Sequence, residues 1–100
     1  MPFSILTDEQ ILELLAEQPK MQRVPGVALV WVDFVDSTRT QVAVVAHIYA
    51  GDGRQISRLP VTVAGLPVIV KVEDPHTMRV VETIDPRKNG GAWPRTNHVL

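Results

Sequence analysis

At 100 residues, 45% of them apolar and 21% charged, the chain has material for one small domain with a buried core. A net charge of −1 excludes bulk electrostatics as a way of holding a polyanion, and the absence of cysteine excludes disulfides, thiol nucleophiles and thiolate metal sites. No apolar run reaches the ~18 residues a membrane span requires, and the N-terminus lacks the basic and apolar segments of a signal peptide. The expected location is therefore cytoplasmic, or a virion if the protein is a phage component.

The first element is a helix expected over 7–18. Thr7 is a suitable N-cap, and Gln10 three residues later completes a capping box. Leu6 and Ile11 have the spacing of a hydrophobic staple, and Asp8 and Glu9 fall in the first turn, where the helix dipole favours acids. Ile11, Leu12, Leu14 and Leu15 predict the buried face, with Glu13 and Glu17 away from it. Pro19 predicts the end of the helix near Gln18.

From Val24 the period shifts toward two. The run 26–35 (GVALVWVDFV) is almost continuously apolar and predicts a strand buried on both faces, with Trp31 and Phe34 in the core. A turn cluster at 36–39 leads to a second strand over 40–50, in which Val42, Val44, Ala46 and Ile48 alternate with Ala43, Val45, His47 and Tyr49. A third strand is expected over 54–64. Ile56 is out of phase with Leu59, Val61 and Val63, which predicts a bulge near Ser57–Arg58, and Pro60 suits an edge. Strands over 66–73 and 77–84 complete the series. With every connector read as short, adjacent strands must pair antiparallel. The expected architecture is α+β: a short N-terminal helix followed by a mainly antiparallel five-stranded meander, forming a small barrel or sandwich. Residues 1–86 are the domain, and 87–100 a flexible, basic C-terminal arm.

Catalytic and metal signatures are absent from the pattern. His47, His76 and His98 are dispersed, and Ser37 and Ser57 lack a nucleophile elbow. The glycines of 51–54 (GDGR) have neither the Lys-Ser/Thr of a phosphate loop nor the repeated acids of a calcium loop. Asp33 interrupts an apolar strand. It reads as a solvent-facing acid at the hairpin mouth, with an acid on a binding face, pairing with Arg39 or an external cation, as the alternative. No cofactor, metal or catalytic residue is assigned.

The strongest functional signal is at the C-terminus. After Asp85 the chain holds Arg87, Lys88, Arg95 and Trp93 and no acid, while the first twenty residues are acidic. Trp and Arg are the side chains most enriched among binding hot spots. Trp93, Arg95, Arg87 and Lys88 therefore predict a docking arm, with Glu13 and Glu17 as its complement, either within the chain or on a second molecule. The sequence favours a non-catalytic assembly or protein–protein interaction module, a homo-oligomer or a repeated subunit of a larger particle. The alternative is a single-stranded nucleic-acid-binding small barrel using Arg54, Arg58, Lys71 and Arg79. A second alternative is a small ligand-binding protein or enzyme whose site is built from scattered polar residues.

Overall fold

The computed structural model describes residues 5–50 and 55–93. Its elements in chain order are α1 (Asp8–Gln22), β1 (Val27–Phe34), β2 (Val42–Tyr49), a 3-10 turn (Ile56–Arg58), β3 (Thr62–Val63), β4 (Leu66–Glu73), β5 (Val80–Ile84) and a second 3-10 turn (Pro86–Asn89).

The capping box that opens α1 is formed in full. The Gln10 amide donates to Thr7 Oγ1 at 3.1 Å, and the Thr7 amide donates to Gln10 Oε1 at 2.9 Å. Gln10 Nε2 also donates to the Ala64 carbonyl at 3.0 Å, which ties the first turn of the helix to the β3–β4 turn. The helix does not stop before Pro19 but runs through it to Gln22. Pro19 deprives the Leu15 carbonyl of its donor. What holds the last turn is tertiary: Met21 is only 2% exposed, and Gln18 Nε2 donates to the Val30 carbonyl at 2.8 Å. The buried stripe is Leu14 and Met21, two turns apart, with Ile11 and Gln18 half-buried beside them. Leu12 and Leu15, expected on that face, point outward.

The strands form one five-stranded mixed sheet in the order β1-β2-β4, with β3 and β5 on the far side of β4 at its two ends. The β1–β2, β3–β4 and β4–β5 pairs are antiparallel, but β2 and β4 run parallel, Val44 beside Val68 through Tyr49 beside Glu73. This corrects the all-hairpin meander. The described part of the stretch read as a strand over 54–64 holds instead a 3-10 turn and a two-residue strand. The connection between β2 and β4 therefore spans 50–65, long enough for a parallel crossover. The out-of-phase Ile56 marks that turn rather than a bulge, and it is buried in the core. The sheet is open and is not closed into a barrel: β1 stands at one edge and the β3/β5 pair at the other.

The helix covers one face of this sheet. Leu14 and Met21 pack with Val30, Val32, Val42, Val44, Ala46, Ile48, Val68, Val70 and Val72, and Ile56, Leu59 and Val63 extend the same cluster. The burial expected for the first two strands is interchanged. β2, between β1 and β4, is buried on both faces, Ala43 and Val45 as fully as Val44 and Ala46. β1 is buried on one face only, through Val30 and Val32, while Leu29, Trp31 and Asp33 face outward. Trp31 thus lies outside the helix-side core, in a cross-strand row with Val45 and Ile69, and Phe34 packs at the core margin.

Two turns carry their own organisation. The Asp36 carboxylate accepts from the amides of Thr40 (3.0 Å) and Gln41 (3.1 Å) and from the hydroxyls of Thr40 (2.6 Å) and Thr38, closing the β1–β2 hairpin. These bonds, the Thr38 hydroxyl foremost, hold its carboxyl well below the usual carboxylate range. Between β3 and β4, Ala64 (φ 55°) and Gly65 (φ 76°) both take positive φ. Such a pair suits a two-residue hairpin turn whose twist matches the flanking strands.

Candidate interaction surface

The open edge of β1 can be read group by group. The Val35 amide donates to the Gln41 carbonyl at 2.9 Å, and the register pairs Phe34 with Val42 and Asp33 with Ala43. Antiparallel pairs alternate between bonded and non-bonded positions. Asp33, Trp31 and Leu29 therefore bond inward to β2, and the amides and carbonyls of Val30, Val32 and Phe34 point out of the sheet. Two of these six groups are capped. Gln18 Nε2 occupies the Val30 carbonyl, and Asp33 Oδ1 accepts from the Phe34 amide at 2.7 Å. Among the described residues, the Val30 amide, the Val32 amide and carbonyl, and the Phe34 carbonyl have no partner.

The role of Asp33 is thus local. It is solvent-facing, as read from the sequence, and it caps its own strand rather than pairing with Arg39. The Arg39 guanidinium instead lies 6.0 Å over the Phe34 ring.

Exposed apolar side chains lie on α1 and on β1 itself. Leu12 is 67% exposed and Leu15 59%, one turn apart on the flank of α1. Leu15 lines a small apolar cleft between α1 and β1 together with Leu14, Met21, Val30, Trp31 and Val32. On the sheet's other face Leu29 is 49% and Trp31 47% exposed. The opposite edge differs. There β5 is short, its ladder on β4 shifts between Val72 and Glu73, and β3 interrupts the row, although Met78, Val80 and Val81 are exposed. Irregular edges of this kind resist strand addition.

The residues expected to form a docking arm divide. Trp93 lies on its own domain: its indole Nε1 donates to the Leu59 carbonyl at 2.8 Å, and the ring packs against the core cluster. Arg87 is held by Asp85, with Nε donating to both carboxylate oxygens at 3.0 Å and Nη2 to Oδ2 at 2.6 Å. The Arg87 side-chain bonds lower the Asp85 carboxyl below its ordinary value, and the same pairing raises Arg87. Pro86 is fully buried, and Gly90 closes the 3-10 turn in the left-handed conformation. The chain thus stays folded on the domain from 87, where a flexible arm was expected to begin, through to Trp93. Lys88 is exposed on that turn. Arg95 and His98 lie outside the described residues. Of the acidic complement, Glu13 is exposed and Glu17 bonds Lys20 at 3.2 Å. An open groove of about 360 Å³ runs between Glu17, Lys20 and Met21 on α1 and Arg58, Leu59 and Pro60. Leu59 thus links the groove that Glu17 lines to the carbonyl that holds Trp93.

The described cations of the nucleic-acid alternative, Arg58, Lys71 and Arg79, do not share a face. Arg58 lies on the helix side, bonded to Gln55 Oε1 at 2.9 Å and lining the groove with Glu17. Lys71 is half-buried on the opposite face beside His47, and Arg79 is exposed in the approach to β5. Arg54, with the rest of the 51–54 loop, lies outside the described residues.

One contact escaped the sequence reading altogether. His47 Nδ1 and Glu73 Oε1 are hydrogen-bonded on the face away from the helix, and both side chains are largely buried. Only the parallel β2–β4 pairing brings these strands together, and nothing in the local sequence announces it. Among the described residues no three His, Asp or Glu side chains converge as a metal site would require. No helix of the described chain is long and apolar enough to cross a membrane. No family model, curated protein or solved structure matches the chain.

Proposed function

We propose that the chain acts by binding rather than by chemistry, as an assembly module that joins protein chains through the β1 side of the domain. It would work as a homo-oligomer or as a repeated subunit of a larger particle. The observation that carries this reading is the coincidence of a strand edge, unpaired by any described strand, with the exposed Leu15 in the cleft beside it; Leu12 is exposed one turn away on α1. An edge offers main-chain hydrogen bonds, and an adjoining apolar side chain offers area to remove from water. A leucine left half or more in solvent forgoes much of the roughly 1.5–3 kcal/mol its burial would contribute. In this reading residues 86–93 serve their own chain, with Trp93 closing the helix side of the core.

The test is light scattering across a concentration series, with Leu15→Glu as the perturbation and circular dichroism to verify the fold. The expected result is a mass above that of one chain, which Leu15→Glu returns toward the monomer. A single-chain mass at every concentration overturns the reading.

A further inference from the structure

We infer that the occupant of the β1 edge is the β1 strand of a second copy, paired antiparallel about a two-fold axis that passes through Val32. This rests on the reading of the β1 side as the assembly surface, and it adds the partner and the register.

The argument is one of hydrogen-bond complementarity. With Val32 opposite Val32 of the second copy, Val30 falls opposite Phe34 of that copy, and Phe34 opposite its Val30. The bonds this register calls for are those between the two Val32 residues, from each amide to the other carbonyl, and those from each Val30 amide to the opposing Phe34 carbonyl. All of these groups are free of partners among the described residues. The register would also match each Phe34 amide with the opposing Val30 carbonyl. Those are the two groups the chain already caps, with Asp33 and Gln18. The caps therefore satisfy one donor and one acceptor that would have been each other's mates, and no free group is left facing a capped one.

A slip of one pairing step either way breaks this match. Centred on Trp31, the Val32 amide meets the capped Val30 carbonyl of the second copy. Centred on Asp33, the Val32 carbonyl meets the capped Phe34 amide, and the two Asp33 carboxylates stand directly opposite, a destabilising like-charge pair. In the Val32 register each Asp33 faces a Trp31 instead. The two-fold also places both helices on the same side of the continued sheet, with the exposed Leu15 of each beside the junction.

The chain has no cysteine, so introduced thiols report cleanly. Trp31→Cys and Asp33→Cys variants are mixed and mildly oxidised. The Val32 register predicts a disulfide between the two variants and little within either alone. Self-crosslinking of Trp31→Cys or of Asp33→Cys reports the slipped registers and overturns the inference. Because Trp31→Cys can disturb the fold, the unmodified chain is also followed by amide hydrogen exchange. The outward amides of Val30 and Val32 should exchange more slowly as concentration rises, and the capped Phe34 amide should change least. If light scattering shows association while Val30 and Val32 exchange at a constant rate, strand pairing is wrong and the assembly reading survives. A chain that remains monomeric overturns both.

Discussion

Trp93 gives the sharpest test of how the domain closes. Trp93→Phe keeps an aromatic ring against the core but removes the indole donor, leaving the Leu59 carbonyl without its 2.8 Å bond. A net hydrogen bond is worth about 1 kcal/mol, and that is the expected loss. Trp93→Ala also removes the ring. A part-buried Trp withdraws on the order of 100 Å² of apolar area from water, which at ~25 cal/mol per Å² amounts to ~2.5 kcal/mol as an upper estimate. The expected loss for alanine is about 3 kcal/mol, bond included. Urea unfolding followed by far-UV circular dichroism measures both, and for a domain of this size each 1 kcal/mol lowers Tm by roughly 4–8 °C. A loss below about 0.5 kcal/mol for Trp93→Ala is what an ordinary surface substitution gives. That result would refute the docking of Trp93 on its own domain and return the residue to the role of a free anchor.

Pro19→Ala restores the donor that the Leu15 carbonyl lacks in the middle of α1, and the Pro19 side chain is exposed, so packing loses little. A stabilisation of about 1–2 kcal/mol is expected, the helix gain being partly offset by the freer unfolded chain, and thermal unfolding should show a higher Tm. Asp85 caps the last 3-10 turn and holds Arg87, so Asp85→Ala should cost about 1 kcal/mol at neutral pH. Because the folded carboxyl lies below its ordinary value, its contribution is fully present above about pH 4. It is lost as pH falls through the lowered folded value, so the two chains should converge in stability in strong acid. A difference that persists unchanged there would place the effect in packing rather than charge.

The features legible in the sequence were the local ones. The Thr7–Gln10 box, the Asp36 turn and the solvent-facing Asp33 depend on residues a few positions apart, and their chemistry is visible in that span. Burial of the first two strands is not legible in this way, because apolarity is not the same as depth. β1 has the richer apolar run, but it stands at an edge, and the smaller side chains of β2 take the centre, where neighbours on both sides remove them from water. Pro19 read as a stop because its local cost is real, and the burial of Met21 beyond it overrides that cost. The outward turn of Leu12 and of Leu15, which lines the candidate surface, was hidden for a related reason. Four apolar residues in five positions cannot all face one way on a helix, and only the packing of Leu14 and Met21 shows which ones do. The parallel pairing had no local signal at all, and the barrel expectation failed with it.

That parallel pairing also sets an order of events. The β1–β2 hairpin and the β3–β4–β5 meander each close over short loops, and each can form from neighbouring residues alone. The junction of β2 with β4 cannot, because it must first pay the entropy of closing 50–65. The chain is therefore two kinetic halves meeting along one internal seam. At its first turn α1 spans that seam, since Gln10 reaches from the N-terminal half to Ala64 in the C-terminal half. Until the seam closes, β2 is itself an edge strand with two apolar faces. The interval before docking is thus when the chain is most exposed to aggregation, and faster closure of 50–65 would shorten it.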